Sequence, residues 1–474
     1  MVKARRSFLI NSALGLGAFA IPKTIWASKN LDAEVLVLGA GLSGLRASMI
    51  LDQYNISSVT LEGSDRVGGR VRTLNTLPGK PDVGANQIGS TYGEFLYLAN
   101  AFGLSTVDDI PAIGSRTQAV YIDTVLLHAH EWNKHPKNKL IGKERDIPFG
   151  AWLSTFLPSP LEVSNLDFYG TTNSVVPDMS VLSYLQSKGA SDQIIKLMQM
   201  NFNGSFERFS LQDLYRRMII RKAAGTSPAM YLKDGLEQLP TKMAGTLKRP
   251  VLFNKQVTAI KHDKSYYTVS CSDGTTYRSS ALLCALPLSI LQKLRLDLPI
   301  NNSIQEGINS VQYLPVTRSF FIYDVPFWEK DGFSSEVWTD TPLGFLHTTK
   351  GNTDTPAKLY GSYAIGKQAH AMDMLLQKDR NAPLKLLEQV RPSSKGKVQL
   401  LQTVSWGTNP FSYGAFSSYT SGTIASVVSG FRNQKGSCIF AGEHTESSFA
   451  SGMEGAINSG SKAATLIAQS LGKL

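Results

Sequence analysis

Glu34-Val35-Leu36-Val37-Leu38-Gly39-Ala40-Gly41-Leu42-Ser43-Gly44 carries an apolar run straight into a glycine-rich turn, and its reading decides the fold. The run reads as a short buried strand, and the residues from Leu42 as a helix whose apolar side carries Leu42, Leu45, Ala47, Met49 and Ile50. Val59-Thr60-Leu61 then forms a second strand ending at Glu62. This is a βαβ unit. Gly39 permits the tight turn, Gly41 lets a pyrophosphate approach the backbone, and Gly44 lets helix and strand pack closely. The helix start at Leu42 and Ser43 offers unpaired N–H groups and the positive end of a dipole to phosphates. Glu62, about 20 residues beyond the glycines, is placed to accept hydrogen bonds from a ribose, and its charge disfavours a 2′-phosphate. A lone G-x-G-x-x-G also arises as a structural turn, so its surroundings must decide.

Those surroundings are Asp65-Arg66-Val67-Gly68-Gly69-Arg70-Val71-Arg72-Thr73. A second glycine pair, with Gly69 followed by Arg70, resembles what FAD-binding members of the two-dinucleotide-fold group carry, and it points to FAD rather than NAD.

Composition bounds the alternatives. The chain has 474 residues, 42% hydrophobic and 18% charged, enough for two large domains and far from the signature of disorder. Lys and Arg number 48 against 37 Asp and Glu, a formal charge of +11. That permits acidic partners, but no nucleic-acid motif accompanies it, and none is expected to bind. The three cysteines, Cys271, Cys284 and Cys438, are widely spaced, which suggests neither a zinc site nor a disulfide framework. His128, His130 and His135 sit among lysines in a segment read as a solvated loop, so no metal is expected.

Residues 1–27 read as an export signal. Arg5 and Arg6 precede Ser7-Phe8-Leu9 and a weakly apolar stretch, which resembles the twin-arginine type although Ala4 and Ile10 depart from the commonest flanks. The apolar run, about 14 residues, is short for a bilayer span, so no stable membrane anchor is expected. Cleavage after Ala27 would remove Lys3, Arg5, Arg6 and Lys23 and take the charge from +11 to +7. The expectation is a periplasmic protein, carried by the export machinery after folding.

From about residue 31 to the C-terminus the sequence resembles the flavin-containing amine oxidase family, which includes monoamine, polyamine and L-amino-acid oxidases. Asp82-Val83-Gly84-Ala85-Asn86-Gln87-Ile88-Gly89 resembles the segment that passes the flavin. Lys233-Asp234-Gly235-Leu236 resembles the element that reopens the FAD domain, and Val257 begins a hairpin that returns through Ala281-Leu282-Leu283-Cys284. Near the C-terminus, Trp406, Phe411 to Phe416, Phe440-Ala441-Gly442-Glu443 and Ser451-Gly452-Met453-Glu454-Gly455-Ala456 complete the match.

The resemblance implies an α/β protein, with a Rossmann-like FAD domain of two-dinucleotide-binding-fold type interleaved with a mixed α+β substrate domain. Its FAD parts would be residues 28–104, 226–299 and 401–474, and its substrate parts 105–225 and 300–400. It implies that Gly84, Ala85, Asn86, Gln87, Val257, Glu443, Ser451, Gly452, Met453 and Ala456 join the glycines, Glu62 and Arg70 around FAD. Glu454 reads more simply as an acid favouring a helix N-terminus, and His444 as a hydrogen-bonded structural histidine. The implied chemistry delivers the equivalent of hydride from an amine carbon to flavin N5, giving an imine that water hydrolyses, with oxygen or a periplasmic redox protein as acceptor.

The chain departs from the family pattern at four places. Arg318 stands where many relatives hold a lysine-bound water, so either the water is held differently or Arg318 points away. Ala415 replaces the cysteine that tethers flavin in monoamine oxidases, which implies noncovalent FAD. Their tyrosine pair maps to Phe416 and Gly452, leaving room for a larger substrate or another wall. Gln87 lies near the arginine that amino-acid oxidases use for a carboxylate, so free α-amino acids are disfavoured. Trp406 and Phe416 are expected to form the flavin-facing substrate wall, with Arg318 beside them. Two rival readings remain at this stage, an FAD-dependent C–C desaturase and a flavin-binding envelope protein with little catalysis.

Overall fold

A computed structural model describes residues 31–110, 119–157, 169–171, 175–200, 202, 204–223 and 229–474. The export signal expected at residues 1–27 lies outside them. The strand Ala33–Leu38 pairs in parallel with Ser58–Leu61 on one side and with Thr276–Cys284 on the other. Val35 to Leu38 are fully buried, as a parallel strand covered on both faces must be. Thr276–Cys284 also accepts Cys438–Phe440 in parallel and forms a meander with Tyr266–Cys271 and Val257–Asp263, while Arg295–Asp297 closes the edge. Segments far apart in the chain therefore meet in one seven-stranded sheet.

The helix Leu42–Gln53 covers one face of this sheet and packs along the C-terminal helix Met453–Ser470. The two approach closely because Gly460 has no side chain. A Cβ there would lie 2.2 Å from the Ser43 carbonyl oxygen. Ala463, Ala464, Ile467 and Ala468 continue the buried stripe of that helix.

A second seven-stranded sheet runs in the order Val398–Ser405, Val316–Tyr323, Leu359–Ile365, Phe345–Thr349, Val337–Thr339, Ala119–Ile122 and Val125–His128. It is mixed, because Val337–Thr339 pairs in parallel with Ala119–Ile122 while the other neighbours are antiparallel. Val316–Tyr323 and Leu359–Ile365 are antiparallel neighbours inside it, and Phe345–Thr349 is its central strand. The fold class is that of the expectation, a dinucleotide-type α/β sheet together with a mixed sheet and helices.

A helix spans Leu211–Ala223, and Ser210 Oγ accepts from the Gln212 N–H. Leu214 is in the core, and Met218 and Ile219 pack against it from the same helix. The histidine-rich segment differs from a plain loop: His128 ends a strand, and Ala129–Lys134 is a 3-10 helix that buries Trp132. Among the described residues no His, Cys, Asp or Glu group is arranged to hold a metal, and no helix is long and apolar enough to cross a membrane.

Candidate flavin and substrate site

A cavity of about 530 Å³ opens where the Gly39–Gly44 turn, the Gly69–Arg70 segment, the Gly84–Gln87 passage and the start of the C-terminal helix converge. Every residue assigned above to cofactor binding lines it except Gly44. Gly44 acts by packing: a Cβ there would lie 1.9 Å from the Gly39 carbonyl oxygen, so only glycine lets the helix start this close to the turn. Gly39 itself has φ +98°, a conformation that favours glycine.

Two observations show that the cavity suits a dinucleotide. A Cβ built on Gly41 meets no protein atom within 4 Å, so that glycine opens space for a ligand and makes no protein contact there. The helices Leu42–Gln53 and Met453–Ser470 both begin on a glycine, Gly41 and Gly452, with no side-chain cap. Their first N–H groups are left to a bound anion or carbonyl. Glu62 is oriented at the other end, accepting from the Ala40 N–H at 2.8 Å and from the Ser64 N–H and hydroxyl at 2.9 and 2.8 Å.

Arg70 and Glu443 join the two distant halves of this lining. Arg70 Nη1 donates to Glu443 Oε1 at 2.6 Å and to the Ala415 carbonyl at 3.0 Å, and its guanidinium lies 5.1 Å from the Tyr313 ring centre. Glu443 also accepts from the Ser417 N–H and hydroxyl. Burial alone would raise the Glu443 carboxyl, but Arg70 beside it overcomes that and holds it below its ordinary range. His444 is structural, as expected. It is buried, bonds through Nδ1 to the Tyr313 hydroxyl at 2.9 Å, and does not line the cavity. Glu454 does more than favour its own helix dipole, because its two oxygens accept the N–H groups of Glu94 and Phe95 at 3.0 Å and cap the helix Gly93–Ala101.

Trp406 and Phe416 both line the cavity. Trp406 is also a pillar, since its Nε1 donates to the Val83 carbonyl at 2.9 Å and its ring is packed among Leu74, Val83, Val316 and Phe320. The expectation of Arg318 beside them is corrected. Arg318 is not among the lining residues; it is 3% exposed, donates from Nη1 to the Asp82 carbonyl at 2.7 Å, and lies against Phe320 and Tyr363. Arg318 therefore lies close behind the wall of the cavity without reaching into it. It shares a sheet face with Val316 and with Tyr363, its partner across the ladder, and these two line the cavity while the Arg318 guanidinium is held behind them by the Asp82 carbonyl.

The room left by Gly452 is filled by another wall. A Cβ at Gly452 would lie 2.9 Å from the Tyr92 hydroxyl, and Tyr92 lines the cavity with its ring edge-on to Phe449. Sequence reasoning missed Tyr92, Val316 and Tyr363. Tyr92 lies three residues beyond the quoted Gly89, and Tyr363 lies on the strand Leu359–Ile365, where which residue faces a ligand is set by packing between sheets. Ala415 lines the cavity, and none of the three cysteines does so.

Fold and site together define a flavoprotein of the two-dinucleotide-fold class that uses FAD. The family model for flavin-containing amine oxidoreductases matches residues 42–468, and the chain belongs to that family. It is an FAD-dependent amine oxidoreductase. Among curated proteins it is 25% identical over 460 residues to the flavin-dependent L-tryptophan oxidase RebO of Lentzea aerocolonigenes, covering 90% of this chain and 96% of that one. It is 23% identical over 476 residues to human flavin-containing amine oxidase B, covering 93% and 87%. Among solved structures it resembles cyclohexylamine oxidase from Brevibacterium oxydans (TM-score 0.74, 22% identity, 93% of this chain and 100% of that one) and putrescine oxidase (TM-score 0.71, 17% identity, 91% and 98%). At these identities the structural likeness concerns the fold.

Proposed function

We propose that the protein oxidises a primary or secondary amine to an imine, which water then hydrolyses, and that it does so with noncovalently held FAD after export from the cytoplasm. The observation that carries this reading is the meeting of Trp406, Phe416 and Tyr92 with the uncapped Met453 helix start in one cavity. FAD, when bound, supplies the two-electron acceptor for the hydride equivalent that leaves the amine carbon.

The chain's own residues bind and orient. Trp406, fixed by the Val83 carbonyl, and Phe416 present apolar surface that holds the substrate carbon and excludes water. Glu443 keeps its charge on Arg70 and so is not a base for the substrate. The amine therefore reacts in its neutral form, having lost its proton on or before binding. Relatives named as oxidases of amines and of an amino acid agree with this chemistry and do not choose a substrate among them. Export is supported by the pattern at residues 3–27, and noncovalent binding by Ala415 at the tethering position.

Anaerobic absorbance of the purified, FAD-loaded protein against aromatic amines, polyamines, cyclic secondary amines and amino acids tests the reading. Bleaching of the flavin by one class is the expected result. A flavin reduced by dithionite but by no amine overturns the proposal in favour of C–C desaturation or a noncatalytic role. Readmitting oxygen then separates an oxidase, which reoxidises quickly, from a dehydrogenase that needs a carrier.

A further inference from the structure

One cation at the edge of the site is not used by the cofactor framework. Arg217 lies on the helix Leu211–Ala223, with its guanidinium 5.6 Å from the Phe416 ring centre and Nη2 3.0 Å from Ser451 Oγ. Phe416 and Ser451 both line the cavity, and Arg217 stands beside them without being one of the lining residues. The helix is locked in place by Asp213, fully buried, whose two oxygens are shared by Arg216 and Arg217. Arg216 is buried too, and donates onward to the carbonyls of Ser448 and Ala450, just before Ser451.

The charge count of this cluster does not close. Asp213 carries one negative charge against two guanidinium groups, and burial, which would raise its carboxyl, is overcome by Arg217 and Arg216. The acids on the neighbouring C-terminal segment are already engaged: Glu443 with Arg70 and Ser417, Glu446 with the N–H groups of Ser447 and Ser448, and Glu454 with those of Glu94 and Phe95. Arg217 uses Nε and Nη2 on Asp213, the Ser417 carbonyl and Ser451, while Nη1 makes no hydrogen bond to a described residue, and the side chain is 25% exposed. Its structural work is done by one edge of the fork. The other edge, with two N–H donors, is left over beside an aromatic wall.

We propose that Arg217 is a specificity-determining residue that receives an anionic group of the substrate, so that the preferred amine also bears a carboxylate. The inference rests on the amine-oxidising reading above and narrows it. It also reverses the expectation drawn from Gln87, because the cation comes from a different element, the helix of the substrate region, and approaches from the Phe416 side. An unmatched guanidinium beside an aromatic wall attracts a carboxylate and repels a second ammonium, so polyamines are poor substrates.

The test compares phenylacetate with its neutral near-isostere phenylacetamide, by titrating each into the FAD-loaded protein and following the flavin absorbance. Phenylacetate is expected to bind about tenfold more tightly than the amide, with the preference abolished in Arg217→Gln and reduced but present in Arg217→Lys. Equal binding of acid and amide to the unaltered protein overturns the proposal, as does a preference that survives undiminished in Arg217→Gln. If Arg217→Gln fails to retain flavin, Arg217→Lys decides, since it keeps a cation on Asp213: an unchanged ratio counts against Nη1, a smaller one for it. The titration needs no turnover, so it remains readable if no amine reduces the flavin. Conversely, flavin reduction by a simple amine combined with equal acid and amide binding leaves amine oxidation standing and removes Arg217 from recognition.

Discussion

Arg70 and Glu443, 373 positions apart in the chain, are joined by an ion pair of 2.6 Å at the wall of the cavity. The pair ties the segment after the first βαβ unit to the segment before the C-terminal helix, and each partner is oriented by a further contact, Arg70 by the Ala415 carbonyl and Glu443 by Ser417. Breaking one side leaves a buried charge without a partner. Arg70→Ala is expected to cost about 3–5 kcal/mol of stability and to release FAD, whereas the paired change Arg70→Met with Glu443→Leu costs clearly less than the two single changes added. Urea unfolding of the apoproteins in a double-mutant cycle checks this, and additive losses would refute it.

The two glycines of the first turn fail in different ways. Gly41→Ala places a methyl in open space and leaves the apoprotein within about 0.5 kcal/mol of the parent, yet weakens FAD binding by about tenfold or more. Gly44→Ala drives a methyl into the Gly39 carbonyl and lowers apoprotein stability by about 3 kcal/mol. Thermal unfolding without flavin, paired with fluorescence titration of FAD, separates the two effects.

Tyr92 and the position of Gly452 compete for one space. Gly452→Tyr alone is expected to destabilise the protein by about 1–3 kcal/mol through contact with the Tyr92 hydroxyl, and adding Tyr92→Ala recovers most of the loss. Tyr92→Ala by itself widens the aromatic end of the cavity, so KM for a bulky amine falls relative to that for benzylamine. Unchanged selectivity in that variant would remove Tyr92 from the substrate wall.

Two buried histidines set a limit in mild acid. Burial pushes both His444 and His347 down to about 4, so the folded protein keeps them neutral while the unfolded chain protonates them below about 6.5. Stability is therefore complete above that ordinary value and is lost as pH falls from about 6.5 towards 4, by up to about 3 kcal/mol for each ring. His444→Gln is expected to flatten the slope across that window in urea unfolding at a series of pH values. A slope identical to the parent's would contradict the assignment.

Local signals made the dinucleotide half of the molecule legible. The buried run before Gly39, the acid at Glu62 and the glycines of the turn depend on neighbours within a few residues, and their chemistry can be read from the chain alone. Arg318 shows where this stops. Counting positions placed it at the cavity, and it does share a strand face with Val316 and a cross-strand pairing with Tyr363, which both line it, but the Asp82 carbonyl holds its guanidinium behind that wall. Glu454 was read through its own helix, while its hydrogen bonds go to another one, a long-range pairing that no local pattern encodes.

The close approach of Gly460 to Ser43 also bears on how the protein is made. The first phosphate-binding helix leaves the ribosome roughly 400 residues ahead of Gly452 to Ala456, which complete the cavity. A nascent chain thus holds half a binding site for most of its synthesis. Stable capture of flavin must wait for the helix Met453–Ser470 to emerge and dock, and a truncation before Met453 would yield a protein that has its first βαβ unit but cannot retain the cofactor.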